Sequence, residues 1–289
     1  MSVLIFISFI LTILPLYVKK PPQIQGLCLM LKKKYDFIIP IGWGCLNAHN
    51  LRKNGLQRES LPFDWMFVSD ISKIVIFLKT KFQHFLKKKD LLFVRHNGDA
   101  DIYRDTFNQV EYWHDFMIGE DFDTAYEKNQ KKYQRRIERL FHHIDRAQSV
   151  LLVRFERIFP DKQKTDTEYM FRNAPVKEEE IITNFNNLQA LYPEKIFDLL
   201  LVQTWDQPRD FKEYDLTPHI HVCELYNDES LGWKGDEKTF KTILKPYDLT
   251  FESKLYYFAN TLKYKFRKSY LQLLSLFFPA KKRTLKIKD

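Results

Sequence analysis

Cys45 stands where a thiol can be made reactive. Ahead of it, Asp36 to Ile41 is a largely apolar, β-branched run, the signature of a buried strand. Gly42 and Gly44 then punctuate the chain, and Leu46 to Asn54 can wind as a helix that ends near Gly55. A cysteine between a strand's end and a helix's first turn meets unpaired backbone N–H groups and the positive end of the helix dipole. Both favour thiolate over thiol, and thiolate is the nucleophile. The plain alternative is a small core residue, which is what most single cysteines are.

A cysteine nucleophile needs a base, and three histidines are placed to be considered. His49 lies four residues after Cys45, on the same helix face. His114 ends an alternating stretch, and His221 lies on a late strand. Asp64, between Phe63 and Trp65, is expected to be partly buried, so it needs a partner. That partner is a histidine or a backbone amide. Arg154 ends an apolar strand, where it could hold a phosphate or carboxylate or pair with Glu156. The other cysteines, Cys28 and Cys223, are far off, and Cys223 falls inside a strand as a core residue would. No CxxC pair exists, so neither a zinc site nor a disulfide framework is indicated, and no cofactor is expected.

Several elements must position these groups. Ile71 to Phe85 has helical spacing, with Ile71, Ile74, Val75 and Leu78 on one face. Leu91 to Val94 is a short strand. Asp101 to Trp113 alternates around Asn108 as a hairpin would, and delivers His114-Asp115-Phe116. Asp121 to Asp145 reads as a long charged helix whose inner stripe is Ile137, Leu140, Phe141 and Ile144. His142 and His143 adjoin that stripe as surface or satisfied core histidines. Ser149 to Phe155, Lys195 to Thr204 and His219 to Leu225 read as strands, and Lys177 to Tyr192 as a helix. Strands separated by helices predict an α/β fold: a mainly parallel sheet flanked by helices, with a β-hairpin insertion and a C-terminal helical segment. In such sheets sites lie at the carboxyl ends of strands, as Cys45 does.

The 289 residues carry a formal net charge of +9 and are 16% aromatic. The excess sits at Lys19, Lys20, Lys32 to Lys34, Lys87 to Lys89 and in the tail from Lys281 to Lys288. A diffuse surplus of this kind suits an anionic membrane surface or an acidic substrate. Nucleic-acid binding would want aromatic and basic residues interleaved on one face, and no such module is seen. Val3 to Val18 is apolar, short for a spanning helix, and lacks a basic stretch ahead of it. Residues 1–29 therefore read as a weak anchor or a dispensable leader, with Met30 as a natural start. Residues 30–250 form the α/β catalytic-like domain, and 251–289 a basic, aromatic helix and tail. A cytoplasmic body is expected, with peripheral membrane contact through the Leu271 to Phe278 segment as a further option.

At GWGCLNAHNLRKNGLQRESLPFDW, followed by WHDF, the chain resembles a bacterial family of papain-like cysteine peptidases classed as a domain of unknown function. That family has a glycine-containing turn, a cysteine opening a helix, a leucine-arginine stretch, a Pro-Phe-Asp-Trp motif and a later His-Asp-Phe. Here these correspond to Gly42, Cys45, Leu51 and Arg52, Pro62 to Trp65, and His114 to Phe116. The similarity runs from Tyr35 to about Lys245, weakly beyond Leu152. Trp43 and Gly44 depart from the family's small or polar residues before the cysteine.

The resemblance implies a cysteine hydrolase with Cys45 as nucleophile and His114 as the first-ranked base. Asp64 is favoured over Asp115 to orient the imidazole, because a neighbour on a strand points to the opposite face. Arg154, Trp65 and Asp115 are the expected substrate contacts. The substrate is a peptide, a small molecule or a glycan. Family members also resemble proteins of surface-polysaccharide biosynthesis, which implies an acyl- or glycosyl-transferase as the alternative, with a non-catalytic binding domain as the third reading.

Overall fold

The computed structural model describes residues 32–68, 70–160, 174–226 and 228–277. The apolar N-terminal run, Cys28, the basic tail and the side chains of the Leu271 to Phe278 segment lie outside the described residues. By its contacts the chain divides into two units, Met1–Leu31 and Lys32–Asp289, and the described helices and sheets lie in the second.

The fold is mixed α/β, with six helices and three sheets among the described residues. In chain order the elements are β1 (Lys33–Tyr35), β2 (Phe37–Pro40), α1 (Cys45–Lys53), β3 (Met66–Val68), α2 (Ile71–Lys79), β4 (Leu91–Asn97), β5 (Ala100–Asp105) and β6 (Val110–Met117). Then come α3 (Phe122–Arg146), β7 (Ser149–Ile158), α4 (Glu178–Gln189), β8 (Ile196–Trp205), β9 (Lys212–Thr217), β10 (Ile220–Tyr226), α5 (Glu237–Leu244), β11 (Tyr247–Leu249) and α6 (Phe251–Phe277).

The central sheet has the order β2-β7-β8-β10-β9. Its first four strands are parallel, and β9 closes the edge antiparallel to β10. Period-two alternation puts Val150 and Leu152 of β7 into one core, and Leu151, Val153 and Phe155 into another. Both faces are thus covered, which is why β7 and β8 read as continuous apolar runs rather than alternating ones. Helices α1 and α5 cover one face through Leu46, Leu51, Phe240 and Leu244. On the other face α4 contributes Ile181, Phe185 and Leu188, and α3 contributes Leu140 and Ile144. Pro40 is tolerated because β2 is an edge strand paired only with β7.

A second sheet, wholly antiparallel, has the order β3-β6-β5-β4. It occupies the chain between α1 and α3, and carries His114. The helical spacing from Ile71 is cut short at Lys79, because Lys81, Phe82 and Leu86 take left-handed backbone with φ of 49°, 59° and 50°. The apolar pattern runs on past the helix because Phe82, Phe85 and Leu86 are still buried in the turns after it.

Candidate active site

The approach to Cys45 is three consecutive residues in left-handed backbone: Gly42 (φ 86°), Trp43 (φ 62°) and Gly44 (φ 77°). Gly44 is obligatory on two counts. Its φ suits glycine, and a Cβ there would lie 2.7 Å from Cζ of Phe67. Trp43 has no such freedom, and a bulky residue in this region costs about 1–3 kcal/mol. The surroundings hold it there: Trp43 is buried, with its ring edge-on to Phe67 at 5.7 Å. The Gly44 N–H donates to the Met66 carbonyl at 3.1 Å, tying the turn to β3.

Beneath the turn lies Arg154, which is fully buried. Its Nη1 donates to the Ile41 carbonyl at 2.9 Å, its Nη2 to the Val68 carbonyl at 3.1 Å, and its Nε to Oε1 of buried Glu156 at 2.6 Å. One guanidinium therefore joins the end of β2 to the end of β3, across the two sheets. This corrects the expectation that Arg154 meets substrate: its donors face inward, and its pairing with Glu156 is the structural alternative.

Helix α1 begins at Cys45 itself, with Gly44 as its N-cap and no side chain capping it. The backbone N–H groups of Cys45 and Leu46 approach the sulfur. Burial pushes the Cys45 thiol up from its ordinary value, and these N–H groups and the charge of Arg157 only partly offset it. The helix start thus supplies donors, but the expected net preference for thiolate is reversed by desolvation.

Cys45 opens on a cavity of about 440 Å³. His114 opens on the same cavity, although it reaches it from β6 of the antiparallel sheet. Its ring is exposed and stands edge-on to Trp65 at 6.0 Å. Four tryptophans line the space: Trp43, Trp65, Trp113 and Trp233. Their rings are braced from outside. The Arg52 guanidinium sits 5.5 Å from the Trp65 ring, and Trp113 donates its indole N–H to Oε2 of Glu111 at 2.9 Å. Trp65 is thus a wall of the cavity.

The remaining candidates lie elsewhere. Asp64 is fully buried, and its carboxylate accepts from Arg52, from Nε2 of Gln57 at 2.8 Å and from the Leu61 N–H at 3.1 Å. Burial pushes its pKa up to about 6 against the pull of Arg52, Gln57 and Leu61. It therefore closes the Pro62–Trp65 turn onto α1 and does not orient His114, which corrects that expectation. Asp115 is buried on the far side of β6, where it pairs with Lys132 and accepts from the Tyr133 hydroxyl at 2.8 Å. It too is withdrawn from any substrate. His49 is held through Nε2 by Oε1 of Glu237 at 2.7 Å and meets the Trp233 ring at 5.0 Å. His221 bonds Asp215 at 2.7 Å at the other end of the central sheet's order. His143 bonds Glu59 at 2.7 Å, as a satisfied core histidine does.

Residues not proposed from the sequence as site residues complete the cavity: Asn97 from β4, Phe67 from β3, Arg157 from β7, and the indoles of Trp43, Trp113 and Trp233. They come from separate segments with no shared period, and only the scarcity of tryptophan (5 in the chain) offered a signal.

The fold and site define a cysteine-centred α/β protein, and comparison with known families agrees. The family model described as "Putative papain-like cysteine peptidase (DUF1796)" matches residues 36–189, just over half of the chain, and the chain belongs to that family. An uncharacterized protein of Acanthamoeba polyphaga mimivirus, R408, is 30% identical over 135 residues, covering 41% of this chain and 60% of the relative. The chain therefore spans less than two thirds of the length of that relative. No solved structure matches.

Proposed function

We propose that the chain is a cysteine-dependent hydrolase that works by acyl transfer through Cys45 and His114. The observation that carries this reading is their meeting on one cavity, Cys45 from the start of α1 and His114 from β6. His114 takes the thiol proton, and the sulfur attacks a carbonyl carbon. The N–H groups of Cys45 and Leu46 stabilise the oxyanion. The imidazolium then protonates the leaving group, and an acyl-thioester remains on Cys45. His114 next deprotonates a water that attacks the thioester, releasing a carboxylic acid and restoring the thiol. Because burial holds the thiol up, a neighbouring base is needed near neutral pH. Asn97 lines the same cavity.

The indole walls favour a substrate with a large flat or apolar group beside the carbonyl. They also suit the face of a sugar ring, which favours a second reading: transfer of the acyl group to a glycan hydroxyl in place of water. Labelled acyl groups supplied as a thioester, with and without sugar acceptors, separate the two by the fate of the label.

Alkylation by a mild thiol electrophile, mapped by peptide mass spectrometry across pH, tests the nucleophile. Cys45 is expected to react well ahead of Cys223, which is 1% exposed and has a thiol pushed up to about 12 by burial and by Glu213. A raised thiol stays protonated at neutral pH, so the Cys45 rate should climb with pH and go on climbing beyond the range in which an ordinary cysteine ionises. Faster labelling of Cys223 in the folded protein would sink the assignment.

A further inference from the structure

Helix α6 presents an apolar stripe that nothing in the described structure covers. Phe251, Leu255, Phe258, Leu262 and Phe266 are 72%, 54%, 61%, 39% and 73% exposed. Their spacings of four, three, four and four residues place them within roughly a quarter turn of the helix surface. Over its first two turns the inward side of the same helix is already occupied, whereas from Thr261 to Phe266 every residue is exposed, Tyr264 included. Tyr257 is buried among the core residues of the central sheet. Ser253 donates its hydroxyl to the Asp36 carbonyl at 2.6 Å, and Thr250, just ahead of the helix, donates to the Asp36 carboxylate at 3.1 Å. The seated side and the stripe are therefore different faces, and the stripe is not needed for the core.

Charge selects the partner. From Phe251 to Phe277 the sequence holds one acid, Glu252, against Lys254, Lys263, Lys265, Arg267 and Lys268. Lys254 and Lys265 border the stripe, and both are exposed. Lys254 also pairs with Asp248 at 2.6 Å. Apolar side chains in a line, with cations beside them and almost no acid, match the boundary between acyl chains and anionic headgroups. A partner helix of ordinary composition would want acids opposite these lysines as well as a groove. No helix among the described residues is long and apolar enough to cross a membrane, so the helix would lie on the surface. The sequence continues the same composition as LQLLSLFF followed, after Pro279 and Ala280, by KKR.

We propose that the outward stripe of α6 is an interfacial anchor that lies on an anionic lipid surface. The proposal is independent of the chemistry at Cys45. Flotation of the full chain with phosphatidylcholine vesicles, with and without one quarter phosphatidylglycerol, tests it. Wild type is expected to float with the anionic vesicles at low salt, and to be released as salt rises. Leu255→Glu/Phe258→Glu should lower that partition about tenfold or more, with an unchanged thermal unfolding transition, since neither side chain is buried. Three results would overturn the proposal. One is no flotation of wild type. A second is equal flotation of the double variant, which would place the attachment elsewhere in the chain. The third is a wild-type dimer in light scattering that the double variant converts to monomer without any lipid binding, because then a second copy covers the stripe.

Discussion

Replacing Cys45 by alanine is expected to lower turnover of an activated acyl ester by about 10⁴-fold or more, while the protein unfolds as wild type does. Cys45 lines an open cavity rather than the packed core, so losing one sulfur leaves no new void in the core and costs little stability. His114→Ala should bring a loss of similar size, since the imidazole is exposed and, among the described residues, its ring contact is the edge of Trp65. The two act as one unit, so the double variant should be scarcely worse than either single one. Steady-state kinetics alongside denaturant unfolding reads both quantities. If Cys45→Ala keeps more than about a tenth of the wild-type rate, the covalent mechanism is wrong.

Arg154→Met should be the most destabilising single change near the site, by about 3–5 kcal/mol. The substitution removes the Arg154 bond from the buried Glu156 carboxylate and frees the Ile41 and Val68 carbonyls from their donors. Removing one member of a buried ion pair is the costly case. Adding Glu156→Leu removes that charge and should recover much of the loss, because two apolar side chains can replace an internal ion pair. Urea titration of the three proteins gives the comparison. Cys45 alkylation in the double variant shows whether the turn still presents the thiol once its guanidinium support is gone. A loss below about 1 kcal/mol for Arg154→Met would show that the pair does not hold the sheets together.

The parallel strands could be read from the sequence because burial on both faces leaves a continuous apolar record, as in SVLLVRF and FDLLLV. Strands β1, β3 and β11 could not, since three residues are too few to show a period. The edge strand β9 (KEYDLT) has little apolar content to betray it. The place of Cys45 was legible for a local reason: glycines, cysteine and helix are adjacent. The surroundings of Asp64 were not, because Arg52 and Gln57 reach it from α1 and the loop after it, and nothing in their spacing distinguishes such a carboxylate from a catalytic one. Arg154 was misleading for the opposite reason. An arginine ending an apolar run looks like a ligand-binding charge, and only the two carbonyls it meets in space show that it is a brace. Asp115 followed its parity: on a strand, the neighbour of a cavity-facing histidine points into the protein.

Four of the protein's five tryptophans share one cavity. The intrinsic ultraviolet emission of this protein is therefore a local signal rather than an average over the fold. An occupant of the cavity changes the polarity and quenching around four emitters at once, and Trp205 remains outside as a reference, stacked under the Arg209 guanidinium at 3.3 Å. Candidate ligands can be screened by titrating that emission, with no label and no assumption about the reaction. Unfolding followed by the same light reports the parting of the two sheets that build the cavity, and circular dichroism reports the loss of secondary structure. If the walls separate before the central sheet melts, the two curves will not coincide.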